Sequence, residues 1–433
     1  MGKGGEVAAS LVLPEDSKEL LSGPSYAATK LAPSEEWITG LDVAAFGKEC
    51  EDLGKQLSKN QGPADAAHLQ KIIWWSRSCQ WLGCLLVAVA SRLGGLSRGV
   101  VTFLAAFLLS TGTMTRWTII GHHVCHGGFD KCSSYSRFKF GVGSAYRRAV
   151  DWLDWMLVEA WNVEHNQLHH YHLGEVEDPD LVEVNMVYLR ELKVPKFVKQ
   201  LFVLLLLAPT WKWWYYAPNT YKHLKVTERR KKGLPEFPDA HRTQVFDFAW
   251  LLGGGDQTFF RSSEFLTRCL LPYFVQRFLL LPLPFLLAGA YTQAVGTLLL
   301  AEAFTNWHSF LCIVTNHAGD DLYRFEKHCK PRSPTFYLRQ VISSANFHCG
   351  YDLLDFLQGF LNYQIEHHMW PDLSMLSYRK AQPIVKAICA KHGVPYVQHN
   401  VFYRLYKTVD IMVGPTVMRK FPTAYDRDLD LSE

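Results

Sequence analysis

The sequence predicts an all-α, multi-pass membrane protein, with about four transmembrane helices and a cytosolic helical cap holding a histidine-rich site. Three observations predict it. Apolar runs of span length alternate with charged stretches, histidines gather in three dense groups, and each group follows an even number of spans. With 48% apolar and 20% charged residues in 433, the chain can bury a core and is not disordered throughout. Its 45 basic residues nearly balance 41 acidic ones, which excludes a protein devoted to nucleic acid. The 10 cysteines are scattered with no CxxC pair, so neither a disulfide framework nor a thiolate zinc site is expected.

Residues 1–70 read as a flexible, solvated N-terminal tail and residues 71–433 as one domain. The tail has no signal-peptide run. It has early acids and no arginine before Arg77, which argues against an organelle transit peptide. A helix needs about 20 mostly apolar residues to cross a bilayer, and the runs that qualify lie at about 72–90, 100–120, 270–290 and 292–314. Trp74, Trp75 and Trp81 anchor the first at the interface. Gln276 and Arg277 lie well inside the third, the weakest of the four, whose first half either spans or lies along the interface. Residues 199–217, with WKWWYY at 211–216, read as a short interfacial helix rather than a fifth span. Lys222 to Lys232 follows, with six Lys and Arg against one Glu, and reads either as a solvated loop or as a contact for anionic lipid. The same basic excess puts the large central loop and both tails on the cytoplasmic or cytoplasm-equivalent side.

The histidine groups are GHHVCHGG (His122, His123, His126), EHNQLHHYH (His165, His169, His170, His172) and NYQIEHH (His367, His368), with His317 in TNHAG apart. The four-span topology brings all of them to one membrane face. His122 and His126 are four residues apart, as are His165 and His169, so on a helix each pair stacks on one side and suits a single ion. His170 points about 100° further round, which suits a second ion. Eight or nine imidazoles are too many for one zinc. Imidazole serves iron, copper, nickel and zinc alike, but a site at the edge of apolar spans can receive an alkyl chain, and attack on an unactivated C–H bond calls for a redox metal with O2. No HExxH motif for zinc hydrolysis is present. Cys125, inside the first group, reads as packing.

At these residues the chain resembles the integral-membrane fatty acid desaturases, a non-haem di-iron family, and the front-end desaturases in particular. QVISSANFHCGYDLLDFLQGFLNYQIEHHMWPDLS is similar to the front-end third box, where Gln replaces the first His, and AICAKHGVPY continues the likeness. WNVEHNQLHHYHLGEVEDPD resembles the second box and GHHVCHGG the first, so the likeness covers about residues 75–400. It implies iron ligands at His122, His126, His165, His169, His170, His317, His367 and His368. Gln364 stands at a ligand position and binds through its carbonyl, through water, or not at all. The second box has three residues between its first and paired histidines where front-end enzymes usually have two, His123 stands where their first box usually has Asp, and His172 is additional. His123 and His172 read as supporting residues. Asp178 and Asp180 are either acceptors for ring nitrogens or parts of a helix-stopping DPD turn.

The resemblance implies O2-dependent desaturation of a fatty acyl chain, carried as an acyl-lipid or acyl-CoA, at two irons fed by electrons from a donor. Many front-end relatives carry a fused cytochrome b5 domain with an HPGG motif. That motif is absent here, so a separate donor, cytochrome b5 or ferredoxin, is expected. The endoplasmic reticulum is the favoured membrane, with a plastid or bacterial membrane as alternatives. A lipid hydroxylase using the same histidine boxes and a non-catalytic membrane adaptor are the rival readings.

Overall fold

The computed structural model describes residues 33–235, 237, 248–255 and 257–426. The first 32 residues of the expected tail lie outside the described residues. In chain order the principal helices are α1 (Val43–Lys59), α2 (Pro63–Ala90), α3 (Gly95–Cys125), α4 (158–172), α5 (196–207), α6 (Ala217–Lys231), α7 (Ser262–Leu286), α8 (Tyr291–Asn316), α9 (Pro334–Ile342), α10 (Gln364–Met369), α11 (Met375–His392) and α12 (Val401–Val413). Helices α2, α3, α7 and α8 are long and apolar enough to cross a bilayer. The protein is thus a mostly helical membrane protein with four candidate spans.

The spans pack through small and hydroxylated residues, because lipid offers no hydrophobic force to press helices together. Gly112 of α3 leaves room for Gln80 of α2, and the Ser76 hydroxyl donates to the Gly112 carbonyl at 3.0 Å. Thr305 of α8 donates to Ser110 of α3 at 3.2 Å. Outward-facing Leu85, Phe103, Leu279 and Leu299 stay exposed, as a lipid-facing belt requires.

Three sequence expectations change. First, residues 33–59 are folded although the tail was expected to run to 70. Asp42 caps α1 by accepting from the Ala45 N–H at 2.9 Å, and Phe46, Cys50, Leu53 and Leu57 form a buried stripe against α9 and α11. Gly47 permits this docking, since a Cβ there would lie 2.3 Å from the Pro334 Cα. Second, α7 begins at Ser262, earlier than the expected 270, and Arg277 is buried within the protein. Third, the basic stretch Lys222 to Lys232 is mostly helix, with Lys222 buried.

The aromatic segment 211–216 is anchored inward. Trp211 and Tyr216 are buried, and Lys212 Nζ, fully buried, sits 3.1 Å from Asp154 Oδ2 and 3.3 Å from Glu302 Oε1 of α8. Before it, α5 rises only about 18 Å at ~1.5 Å per residue, short of the ~30 Å hydrocarbon core. It leaves Phe197, Leu201, Leu205 and Leu206 exposed. Short parallel strand pairs tie later segments to the cap: β1 (Tyr323–Arg324) and β2 (Asn346–Phe347) pair with β4 (Arg419–Lys420) and β3 (Gln398–His399), respectively.

Candidate metal centre

Helix α3 does not stop at the first histidines. Over Thr115–Gly121 its hydrogen bonding widens to the π pattern, and a regular turn, His122–Cys125, follows. Helix α4 widens in the same way over Glu164–His169. Further π segments lie at Val203–Leu207, Lys212–Tyr216, Leu266–Leu270 and Val275–Leu280, so the widening is not confined to the histidines, but here it precedes or contains two of their groups. Gly121 lets the α3 turn lie against Trp152, whose ring a Cβ would meet at 2.8 Å.

Nitrogens from four distant parts of the chain converge. One group contains His122, His126, His165, His170 and His367, and a second contains His169, His317 and His368; within each, ligand atoms lie within 4.8 Å of one another. His122 Nε2 is 2.8 Å from His367 Nε2 and 3.3 Å from His165 Nε2, while His170 Nε2 is 3.2 Å from His165 Nε2. The ring of His170 stacks on that of His368 at 4.3 Å, so the groups adjoin.

His165 lies with His170 in the first group and also with His169 and Asp180 in a further overlapping one, as its four-residue spacing from His169 suits, while His169 also faces His317 and His368. The widened turn brings His165 toward both neighbours, its ring stacked on His169 at 5.2 Å and edge to face with His170 at 4.7 Å. His317, on the turn after α8, joins His169 at a ring distance of 4.9 Å.

The arrangement fits a pair of metal ions on a direct observation. His126 Nε2 and both ring nitrogens of His368 are buried without a hydrogen-bond partner, and so is Gln364 Oε1. Ring nitrogens that otherwise face only one another are costly to bury unless something binds them. Burial first, then neighbouring imidazoles, holds the pKa values of His126, His165, His170 and His368 well below the ordinary imidazole range. The rings are therefore neutral, as ligation requires.

Surrounding groups orient the rings. His169 Nδ1 donates to Asp178 Oδ1 at 2.8 Å, and the Gly174 N–H donates to the other Asp178 oxygen at 3.0 Å. Burial lowers the His169 pKa, but the Asp178 charge and hydrogen bond outweigh it and leave it raised. The Asp180 N–H also donates to Asp178 at 2.9 Å, so one carboxylate serves both the ring and the turn; Asp180 Oδ2 lies further off, 3.9 Å from His169. Gln364 Nε2 is 3.0 Å from His317 Nε2. His123 is bonded to the Ile119 carbonyl at 2.7 Å and stacks on His122, beside the cluster rather than in it. His172 points elsewhere, to Glu175 at 2.9 Å.

Several contributors carry weak sequence signals. Trp161 stacks on His165 at 4.5 Å and donates to the Tyr216 hydroxyl at 3.1 Å. Its place four residues before His165 was a usable clue. Tyr378 of α11 meets His367 Nδ1 at 3.3 Å, and buried Glu366 accepts from Asn346 and Tyr396, each at 2.8 Å. Burial pushes the Glu366 carboxyl up to about 7 despite those bonds. No spacing rule marks Tyr378 or Tyr396.

Comparison with known proteins agrees with this geometry. Residues 99–400 match the family model described as fatty acid desaturase. The chain is 23% identical over 376 residues to the NADPH-dependent stearoyl-CoA 9-desaturase of Mycobacterium tuberculosis (strain ATCC 25618 / H37Rv), covering 86% of this chain and 79% of that one. It is 30% identical over 332 residues to the acyl-lipid (7-3)-desaturase of Diacronema lutheri, covering 73% and 64%. Fatty acid desaturase 3 of Bos taurus is 31% identical over 124 residues, covering 28% and 26%. No solved structure matches.

Proposed function

The chain belongs to the fatty acid desaturase family, and on that premise we propose that it desaturates a fatty acyl chain in an O2-dependent reaction at two irons, fed by a separate electron donor. The observation that carries this reading is the pair of adjoining imidazole groups with orphaned, buried nitrogens. His122, His126, His165, His170 and His367 would hold one iron, and His169, His317 and His368 the other, with the Gln364 carbonyl completing the second set. Bound there, the irons would supply the electron exchange with O2 that removes two vicinal hydrogens, leaving a double bond and water.

The chain's own contribution is positional. Asp178 fixes the tautomer of His169 so that Nε2 is free to bind metal. Tyr378, and Glu366 with its two partners, hold α10 so that His367 and His368 face opposite groups. Burial excludes water from the site, which protects a reactive centre from side reactions. The endoplasmic reticulum is the proposed membrane and cytochrome b5 or ferredoxin the proposed donor. The relatives' names give both carriers, a CoA ester and an acyl-lipid.

Expression in yeast with methyl-ester profiling, together with iron quantification of the purified protein, tests the proposal. A new unsaturated ester and about two irons per chain are expected. Incorporation of 18O into the lipid product would replace desaturation by hydroxylation, and protein without iron would overturn the metal assignment.

A further inference from the structure

Outside the two imidazole groups, a third convergence of ligand atoms lies in the cap. His172 Nδ1 is 2.9 Å and His328 Nδ1 2.7 Å from the same oxygen, Glu175 Oε2. All three donor atoms lie within 4.8 Å of one another, and the two rings meet edge to face at 5.2 Å. We infer that His172, Glu175 and His328 form a site for a zinc-type divalent transition-metal ion, independent of the reading given to the buried histidine groups.

Four features support a built site. The Glu175 carboxylate is fixed from behind, since its other oxygen accepts from Arg339 Nη1 at 2.6 Å and the Cys329 N–H at 3.2 Å. Oε2 is thus held toward both rings. His328 presents its second nitrogen to a carboxylate, Nε2 lying 3.4 Å from Glu177 Oε1, the arrangement that commonly orients a metal-binding imidazole. Two imidazoles and one carboxylate, with a fourth position left to water, form a recurrent zinc donor set, whereas calcium and magnesium prefer oxygen alone. Finally, the site is reachable: His328 is 44% and His172 30% exposed at the side chain, unlike the enclosed groups nearby. An ion with ligand bonds of about 2.0–2.2 Å would need the donors to part slightly, which exposed His328 permits. Binding releases whatever protons the two Nδ1 atoms now share with Glu175.

Such an ion would cross-link two loops. The 172–178 turn already meets the 325–329 segment through the Phe325 N–H, which donates to the Gly174 carbonyl at 2.8 Å. The same turn carries Asp178, the support of His169.

The test uses the full-length, iron-loaded protein in detergent, equilibrated with buffered Zn2+ and analysed for both metals. Wild type is expected to hold one zinc more than His328→Ala, with equal iron in the two. Glu177→Gln is expected to weaken zinc binding about tenfold. Zinc should raise the unfolding temperature of wild type and leave that of His328→Ala unchanged. Equal zinc in wild type and His328→Ala, or zinc gained only as iron is lost, would overturn the site. Should the protein hold no iron at all, the desaturase reading fails, yet the zinc difference between wild type and His328→Ala still decides this site.

Discussion

His169 and His367 belong to different imidazole groups, and each brings a buried ring with no apolar alternative in its place. Replacing either by Ala is expected to abolish iron loading and activity together, which metal analysis and product assay read in parallel. Asp178 is a subtler case. It belongs to neither imidazole group, but it fixes the His169 ring through Nδ1 at 2.8 Å. Asp178→Asn keeps the size and removes the charge, so iron affinity should fall about 10–100-fold while the fold persists. An iron titration followed by visible absorption measures it, and wild-type affinity would remove Asp178 from the metal support. At this scale the sequence announced residue types well and partners poorly. His165 and His169 do lie together, as their helical repeat suits, yet His169 also faces His317 and His368, partners far along the chain that no local spacing marks.

Among the elements, the segment 211–216 is joined to α8 by an ion triad rather than by grease alone. Lys212 lies between Asp154 and Glu302 with all three side chains fully buried. Removing one member of a buried pair leaves the others uncompensated, so Lys212→Ala should cost about 3–5 kcal/mol. Thermal unfolding in detergent reads this directly, and a change under ~1 kcal/mol would mean that water reaches the carboxylates. Helix α1 illustrates the opposite limit of sequence reading. Its buried positions Phe46, Cys50, Leu53 and Leu57 do have helical spacing, but they are few and diluted by Lys and Glu, so composition alone suggested a solvated tail. The complementary surface that gives the stripe meaning lies on α9 and α11, in the last quarter of the chain.

Across the molecule, the cap is clamped to the first span where Asp352 meets Lys71 of α2 and Arg379 of α11, the latter at 2.6 Å. Hydrogen bonds from Lys71 and Arg379 hold the Asp352 pKa at about 2, below the ~3.9 of an unfolded Asp. A depressed carboxylate stabilises the fold above the unfolded value and loses that contribution as pH falls through the folded one. The unfolding-temperature gap between wild type and Asp352→Asn should therefore stay constant above about pH 4 and close as the pH falls to about 2. A gap that persists at pH 2 would show that the clamp acts through packing. The sequence by itself determined the helical class, the four candidate spans and the presence of a histidine cluster, because bilayer thickness and imidazole chemistry act on local composition. Only the tertiary structure decided which histidine nitrogens lie together, that α1 belongs to the body, and that His172 and His328 meet at Glu175. Those outcomes depend on contacts between segments far apart in the chain, and local periodicity carries no record of them.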